Sequence, residues 1–218
     1  GNYGEPIPTE LRKPLFPWDG NKQDVNDSIN SCVFYVLYRG HGVYDRWCAF
    51  DYTVSDIDNL NNSNKYPVIF SITCWTGNLD SSNNFSQRML AKNNGGCSAI
   101  ISASRESYSS CNDKFTLGMF DAIWPEQRID FPNGLIVNKN MISEPIYRIG
   151  EIMDQGLTRI NEVNDFYLQA SYMLYHCYGD PSMQIYTETP TPFESPQIVR
   201  TDNNITVSYR KIQNMYYQ

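Results

Sequence analysis

Three short apolar runs stand out along the first half of the chain, CVFYVLY at 32–38, YPVIFSIT at 66–73 and CSAIISAS at 97–104. Each run is too short for a buried helix and is rich in β-branched and aromatic residues, which predicts strands covered on both faces. Apolar positions at helical spacing appear before and after these runs, in QDVNDSINS, FSQRMLAKNNGG and DKFTLGMFDAIW. Strands that alternate with helices predict βαβ crossovers and a mostly parallel sheet with helices on both faces.

Smaller elements are predicted between and after these runs. VYDRWCAFDYT at 43–53 is predicted to be a loop, and a short helix after it has Ser55 as its candidate N-cap. Two further helices are predicted, in EPIYRIGEIMDQGLTRI and VNDFYLQASYMLYH, followed by a turn at GDPS and a short strand at MQIY.

A Pro/Thr/Ser-rich linker, TETPTPFESP, then separates this part from a tail that alternates like β-strands around an Asn-Asn turn. We therefore predict one domain over residues 1–188 and the opening strands of a second over 189–218.

Composition narrows the function classes. The formal net charge is −7 with a pI near 4.8, and the 17 Lys and Arg residues form no run, which argues against nucleic-acid binding. No apolar segment is long enough to cross a bilayer. Aromatic residues reach 14%, which is consistent either with large contact surfaces or with a Tyr-rich solvated face.

The six cysteines show no CxxC pair and no spacing typical of zinc sites. We predict Cys32, Cys97 and Cys177 to be small buried hydrophobic residues. Cys48 and Cys111 lie in loop-like surroundings and would form a disulfide only if the fold brings them together.

Two candidate chemical groups follow consecutive predicted strands. His41 lies between Gly40 and Gly42 after the first strand, and Cys74 follows the second strand. Ligands of an open parallel sheet bind beyond the carboxyl ends of its strands, so the two residues are expected to face one cleft. An imidazole can activate a thiol as a nucleophile, and main-chain N–H groups nearby can hold an oxyanion. The alternative is a turn histidine and a packed cysteine without a catalytic role.

The segments YRGHG, ITCWTG, FSQRMLAKNNGGCSAIISASRESYS and YGDPSMQIY resemble the gingipain-type cysteine peptidases, members of the caspase-like group. The resemblance covers about residues 30–187. It implies a caspase-like three-layer α/β sandwich in which His41 and Cys74 form the catalytic dyad. The main-chain N–H groups of Gly42 and Cys74 are then the oxyanion donors. Thr73 departs from the family pattern, which usually has Ala before the cysteine.

The resemblance carries further expectations. The β-like tail is expected to begin an immunoglobulin-like domain. Family members have more strands before the His-Gly strand, so we expect an upstream segment or a separate partner chain of the same protein to complete the sheet. No cofactor is required for the chemistry. Structural calcium is frequent in the family, and the acidic loops around Asp45 and Asp51 are the weak candidates here.

The resemblance places part of the substrate pocket in the loop RESYSSCNDKF. Glu106 or Asp113 is a candidate to select a Lys or Arg side chain by charge pairing, and Trp75 and Tyr108 are candidates to line the groove. The alternatives are a solvated loop with Asp113 as a helix N-cap and ordinary packing for the aromatic rings. His176 beside Cys177 is a minor candidate for a second dyad or a metal site.

The resulting hypothesis is a cysteine endopeptidase acting on proteins or peptides, exported or displayed at a bacterial cell surface. Two alternatives remain at this point. A transpeptidase of the same family would use the same dyad but pass the acyl group to an amine. A catalytically silent surface or adhesion module would keep the fold without the activity.

Overall fold

The computed structural model describes residues 9–125, 142–160, 167–188, 196–202 and 204–208. After a short 3-10 helix at Thr9–Leu11, the elements in chain order are α1 (Lys22–Ser31), β1 (Tyr35–Arg39), β2 (Gly42–Val43), β3 (Arg46–Trp47), β4 (Tyr52–Thr53), α2 (Val54–Ile57), β5 (Val68–Ile72), α3 (Phe85–Ala91), β6 (Ala99–Ala103), α4 (Ser109–Ile123), α5 (Ile149–Ile160), α6 (Tyr167–Leu174), β7 (Tyr175–Tyr178), β8 (Gln197–Thr201) and β9 (Asn204–Ser208).

The central sheet has the strand order β1-β5-β6-β7. β1, β5 and β6 are parallel, and β7 is antiparallel to β6, so the predicted mostly parallel sheet is confirmed. The prediction of a strand at MQIY is wrong. The fourth strand comes from YHCY before the GDPS turn, whereas Gln184 makes only an isolated bridge with Arg148. Asp180 stabilises that turn, because its carboxylate accepts bonds from the Ser182 N–H and hydroxyl.

Helices cover both faces of this sheet. Helices α4, α5 and α6 pack on one face, and α1, α2, α3 and the small β2–β4 sheet pack on the other. Every residue of β5 and β6 is buried, which confirms their prediction from continuous apolar runs. β1 is the edge strand of the described sheet and is not covered on both faces, since its Leu37 side chain is 43% exposed.

The first residue of α4 and the N-cap of α2 differ from the prediction, and α2, α5 and α6 are shorter than the predicted segments. α4 begins at Ser109 rather than at Asp113, so Asp113 lies inside the helix and is not its N-cap. The N-cap of α2 is Thr53 rather than Ser55. The Asp56 carboxylate accepts bonds from the Thr53 N–H and hydroxyl, which closes a capping box.

The segment predicted as a loop at 43–53 instead forms the antiparallel sheet β2-β3-β4. Trp47 of β3 is buried and stacks on Tyr38 of β1 with ring centroids 4.6 Å apart. The Trp47 Nε1–H also donates to the Ser71 hydroxyl of β5. These contacts fix the small sheet against the central sheet. They therefore hold in place the turn that contains His41.

The structure corrects the predicted surroundings of Cys32, Cys111 and Cys177. All six cysteines are free. Cys111 is fully buried in α4 while Cys48 is exposed, which rules out their disulfide. Cys32 is exposed because it is the left-handed C-cap of α1 rather than part of β1. Cys97 is buried as predicted, and Cys177 is half-buried.

The chain divides into two compact units, Gly1–Ile185 and Tyr186–Gln218. Strands β8 and β9 of the second unit are antiparallel, with Thr201 opposite Asn204, as the alternating pattern predicts. Most of the predicted linker, residues 189–195, and the last ten residues lie outside the described residues. Within the ranges that the structure describes, every helix is too short or too polar to span a bilayer.

Candidate active site

The register of β1 and β5 relates His41 directly to Cys74. Arg39 pairs with Ile72 at the ends of the two parallel strands. His41 and Cys74 therefore each follow the last paired residue of their strand at the same distance along the chain. Neighbouring strands run about 4.8 Å apart, so the two residues leave the same edge of the sheet side by side.

The main chain of His41 is held from two directions. Its carbonyl accepts a bond from the Cys48 N–H across the β2–β3 hairpin, at 2.9 Å. It also accepts one from the Tyr38 hydroxyl at 2.8 Å, and the same hydroxyl accepts from the Ala49 N–H at 3.1 Å. The His41 side chain itself is exposed. A fixed backbone with an exposed imidazole suits a group that exchanges protons with a bound substrate.

Gly42 joins the histidine turn to the cysteine turn. A Cβ atom built on Gly42 would lie 2.7 Å from the Thr73 hydroxyl oxygen and 3.1 Å from the Cys74 carbonyl oxygen. Only a residue without a side chain permits this approach. Gly42 faces Trp47 in the hairpin, and the bond from Cys48 to His41 makes that a non-hydrogen-bonded pair. The Gly42 N–H therefore points away from β3.

Cys74 lies on a sharp turn after β5 and is half-buried. The next residue, Trp75, has a φ of +63°, a left-handed conformation that is uncommon for a residue other than glycine. Its N–H donates to the Arg105 carbonyl at 3.1 Å, and the Thr76 N–H donates to the Cys74 carbonyl at 2.8 Å. Such a conformation costs about 1–3 kcal/mol and persists only where the surrounding contacts impose it.

The Cys74 sulfur contacts Ser107, a residue that the sequence did not single out. The Ser107 N–H donates to the sulfur at 3.4 Å, and the Ser107 hydroxyl lies 3.7 Å from it. Asn112 in turn donates to that hydroxyl at 2.9 Å. The one available signal was the position of Asn112, which shares the buried face of α4 with Phe115 although it is polar.

Thr73, the departure from the family pattern, is fully buried. Its hydroxyl has no hydrogen-bond partner among the described residues. A buried hydroxyl without a partner costs about 1–3 kcal/mol. The structure therefore shows a local cost at this position and no contact that uses the hydroxyl.

The four candidate substrate contacts differ in their surroundings. Trp75 is half-buried, with the Arg105 guanidinium 5.5 Å from its ring, and Tyr108 precedes α4 and packs partly against the core. Glu106 is exposed and has no salt bridge among the described residues. Asp113 forms an ion pair with Arg39 at 2.9 Å. The Asp113 carboxylate is therefore already compensated, whereas the Glu106 carboxylate is open to solvent.

Among the described residues, the minor candidates have other partners or point away from each other. His176 and Cys177 are consecutive residues of β7 and point to opposite faces, with the His176 Nε2 3.1 Å from the Ser104 hydroxyl. Burial raises the pKa of the Cys177 thiol to about 11. Asp45 and Asp51 both pair with Arg46, so a calcium ion there would have to displace its guanidinium. The described residues contain no group of three or more metal-ligating side chains.

The comparisons with known proteins agree on one family. Residues 10–186 match the model described as peptidase family C25. Two proteins named gingipain R1 from Porphyromonas gingivalis are each 25% identical to this chain over 195 residues, or 85% of the chain. The match covers only 18% and 11% of those two relatives.

Solved structures share the fold of this chain. The Arg-specific cysteine proteinase gingipain R (RgpB) aligns with a TM-score of 0.68 at 20% identity, over 88% of this chain and 43% of that one. The complex of the pro- and mature domains of Porphyromonas gingivalis RgpB aligns with a TM-score of 0.63 at 18% identity, over 88% of this chain and 44% of that one. The chain therefore spans less than half the length of the structures it matches, and the likeness supports a mixed α/β fold with a mostly parallel central sheet.

Proposed function

Because this chain belongs to peptidase family C25, we propose that it is the part of a cysteine endopeptidase that carries the catalytic dyad of His41 and Cys74. The observation that carries the proposal is the matched register. The two residues leave adjacent parallel strands at the same edge, and Gly42 packs against the cysteine turn. This is the topological position at which open α/β sheets bind ligands.

The proposed reaction follows from these groups. His41 accepts the proton of the Cys74 thiol, and the thiolate attacks the scissile carbonyl carbon. The negative charge that develops on the carbonyl oxygen is held by main-chain N–H groups at Gly42 and Cys74. His41 then gives its proton to the leaving amine as the C–N bond breaks. Water, deprotonated by His41, releases the acyl group from the sulfur and restores the thiol.

We propose that Glu106 rather than Asp113 receives a basic substrate side chain. Asp113 is paired with Arg39, while the Glu106 carboxylate is exposed and has no salt bridge within the described residues. Arginine pairs well with a carboxylate that can accept two bonds. The likeness to an Arg-specific proteinase supports a basic side chain as the group that is recognised. Trp75 and Tyr108 are the proposed walls of the groove.

Partners and location are also proposals. Gingipain-like proteins are mainly exported by bacteria, which supports a secreted or cell-surface location. The exposed edge strand β1 supports pairing with an upstream segment or a partner chain of the same protein. The chemistry requires no cofactor, and structural calcium remains a proposal without a site among the described residues.

Active-site labelling tests the dyad. The full-length protein is treated with peptidyl acyloxymethyl ketones that end in Arg, Lys, Asp or Asn, and the labelled cysteine is identified by mass spectrometry. We expect the Arg and Lys probes to label Cys74, and we expect His41→Ala to abolish that labelling. Cys48→Ser is the matched control, because Cys48 is an exposed thiol next to the β2–β3 hairpin that holds the His41 carbonyl.

The outcomes separate the two parts of the proposal. Equal labelling of Cys48 and Cys74, or labelling of Cys74 that survives His41→Ala, would refute the dyad. Loss of the Arg preference in Glu106→Gln but not in Asp113→Asn would support the assignment of Glu106. The reverse pattern would transfer that role to Asp113.

A further inference from the structure

The sulfur of Cys74, the proposed nucleophile, is contacted by Ser107. The Cys74 sulfur is touched by three atoms of Ser107, the N–H at 3.4 Å, the carbonyl at 3.5 Å and the hydroxyl at 3.7 Å. A hydrogen bond from an N–H to an anionic sulfur favours the anion. This effect depends on how firmly Ser107 is held against the sulfur.

Two buried polar side chains hold Ser107. The side-chain amide nitrogen of Asn112 donates to the Ser107 hydroxyl at 2.9 Å, and the Tyr175 hydroxyl donates to the side-chain amide oxygen of Asn112 at 2.6 Å. Asn112 is 3% exposed and Tyr175 is 2% exposed. Polar groups at such depth are costly unless each is hydrogen-bonded, and a satisfied network in a low dielectric is rigid.

The network is anchored in the sheet. Tyr175 is the first residue of β7 and pairs with Ala103 at the end of β6. Its ring packs on Phe115 with centroids 4.3 Å apart, and burial raises the pKa of its hydroxyl, so the group remains a donor through the neutral range. The position of Ser107 is thus set by a strand and a helix rather than by its own loop.

We propose that Asn112, held by Tyr175, is a positioning residue that fixes Ser107 against the Cys74 sulfur. The proposal rests on the proposed role of Cys74 as nucleophile. Asn112 touches neither the sulfur nor a substrate and acts through Ser107. A purely structural role would lower the stability of the fold without changing the reactivity of the thiol.

The chain offers a matched pair of variants. Tyr175→Phe removes the hydroxyl that holds Asn112 and that also interacts with the Ser107 side chain, and it keeps the ring on Phe115. Tyr52→Phe removes the same kind of bond, from the buried Tyr52 hydroxyl to the side-chain amide oxygen of Asn26 at 2.7 Å, between β4 and α1. Three quantities are measured in the full-length protein: the urea midpoint, the rate of Cys74 alkylation by iodoacetamide followed on the Cys74 peptide, and kcat and KM.

We expect both variants to lower the urea midpoint by similar amounts. Only Tyr175→Phe is expected to slow the alkylation of Cys74 and to reduce kcat, by about tenfold with KM little changed, because small misplacements of reacting groups have effects of this size or larger. Alkylation and kcat that stay at the Tyr52→Phe level would overturn the proposal. If Tyr175→Phe does not fold, Ser107→Ala, which removes the hydroxyl that Asn112 holds, must show the same slower alkylation, and a wild-type rate would refute the inference.

Failure of the peptidase proposal would look different. Iodoacetamide reacts with the thiol whether or not a peptide is cleaved. A protein that cleaves no peptide but still shows alkylation dependent on Tyr175 would retain the positioning role of Asn112 and lose the proposed function. Normal cleavage with alkylation independent of Tyr175 would retain the function and remove the positioning role.

Discussion

Replacing Tyr38 by phenylalanine removes one hydroxyl that connects β1 to the turn carrying His41. The hydroxyl donates to the His41 carbonyl at 2.8 Å and accepts from the Ala49 N–H at 3.1 Å. The ring itself would remain stacked on Trp47. The substitution therefore tests the two hydrogen bonds separately from the packing.

The expected magnitude follows from the burial of the site. Tyr38 is only 7% exposed, so water cannot fully replace the lost hydroxyl at both backbone groups. Each bond contributes about 1 kcal/mol net, and we expect Tyr38→Phe to lower the free energy of unfolding by about 1–3 kcal/mol. The Cys48 N–H still holds the His41 carbonyl, so the turn should loosen without unfolding. A loosened His41 should reduce kcat/KM by about tenfold, since proton transfer depends on orientation.

Tyr35→Phe is the matched control on the same strand. The Tyr35 ring packs against Phe120 and Trp124 on the other face of the sheet, and its hydroxyl has no hydrogen bond among the described residues. Urea unfolding and peptide hydrolysis are measured for both variants, and Tyr35→Phe should change the free energy of unfolding by less than about 0.5 kcal/mol. Equal effects in the two variants would show that the Tyr38 hydroxyl does not hold the histidine turn.

Two further predictions concern stability. Thr73→Val keeps the shape of a fully buried side chain and removes a hydroxyl that has no partner among the described residues. It should therefore raise the free energy of unfolding by about 1 kcal/mol, while Thr73→Ser should lower it. A loss of stability in Thr73→Val would mean that the hydroxyl is hydrogen-bonded. Burial lowers the pKa of His176 from its ordinary 6.5, so the folded state favours the neutral ring. The stability linked to this preference is present above pH 6.5 and is lost as the pH falls through the folded pKa, so the urea midpoint should drop less between pH 7 and pH 5 in His176→Gln than in the wild type. An identical drop in both proteins would refute the linkage.

The apolar pattern alone was enough to predict the core of the fold. β5 and β6 are continuous apolar runs, and a run of that kind can be satisfied only where both faces are covered. Helix α3 ends before paired glycines, and α5 follows its apolar period. The position of His41 and Cys74 after neighbouring strand ends was also predictable, because both residues directly follow apolar runs of the sequence.

The errors fall where long-range pairing overrides local preference. YHCY continues an aromatic helical pattern, yet it forms β7 because it pairs with the otherwise unpaired edge of β6. Cys111 stands in a polar stretch, but the helix that begins at Ser109 turns it into the core. Cys32 extends an apolar run, yet it caps α1 and remains exposed.

The contacts that hold Ser107 against the Cys74 sulfur depend entirely on the tertiary structure. Asn112 and Tyr175 are 63 residues apart, and Ser107 and Cys74 are 33 apart. Local sequence determines strands and helices because periodicity and capping act over a few neighbouring residues. Which buried polar groups meet depends on how the sheet and α4 pack together, and the sequence carries no local sign of that meeting beyond a polar residue, Asn112, on an apolar helix face.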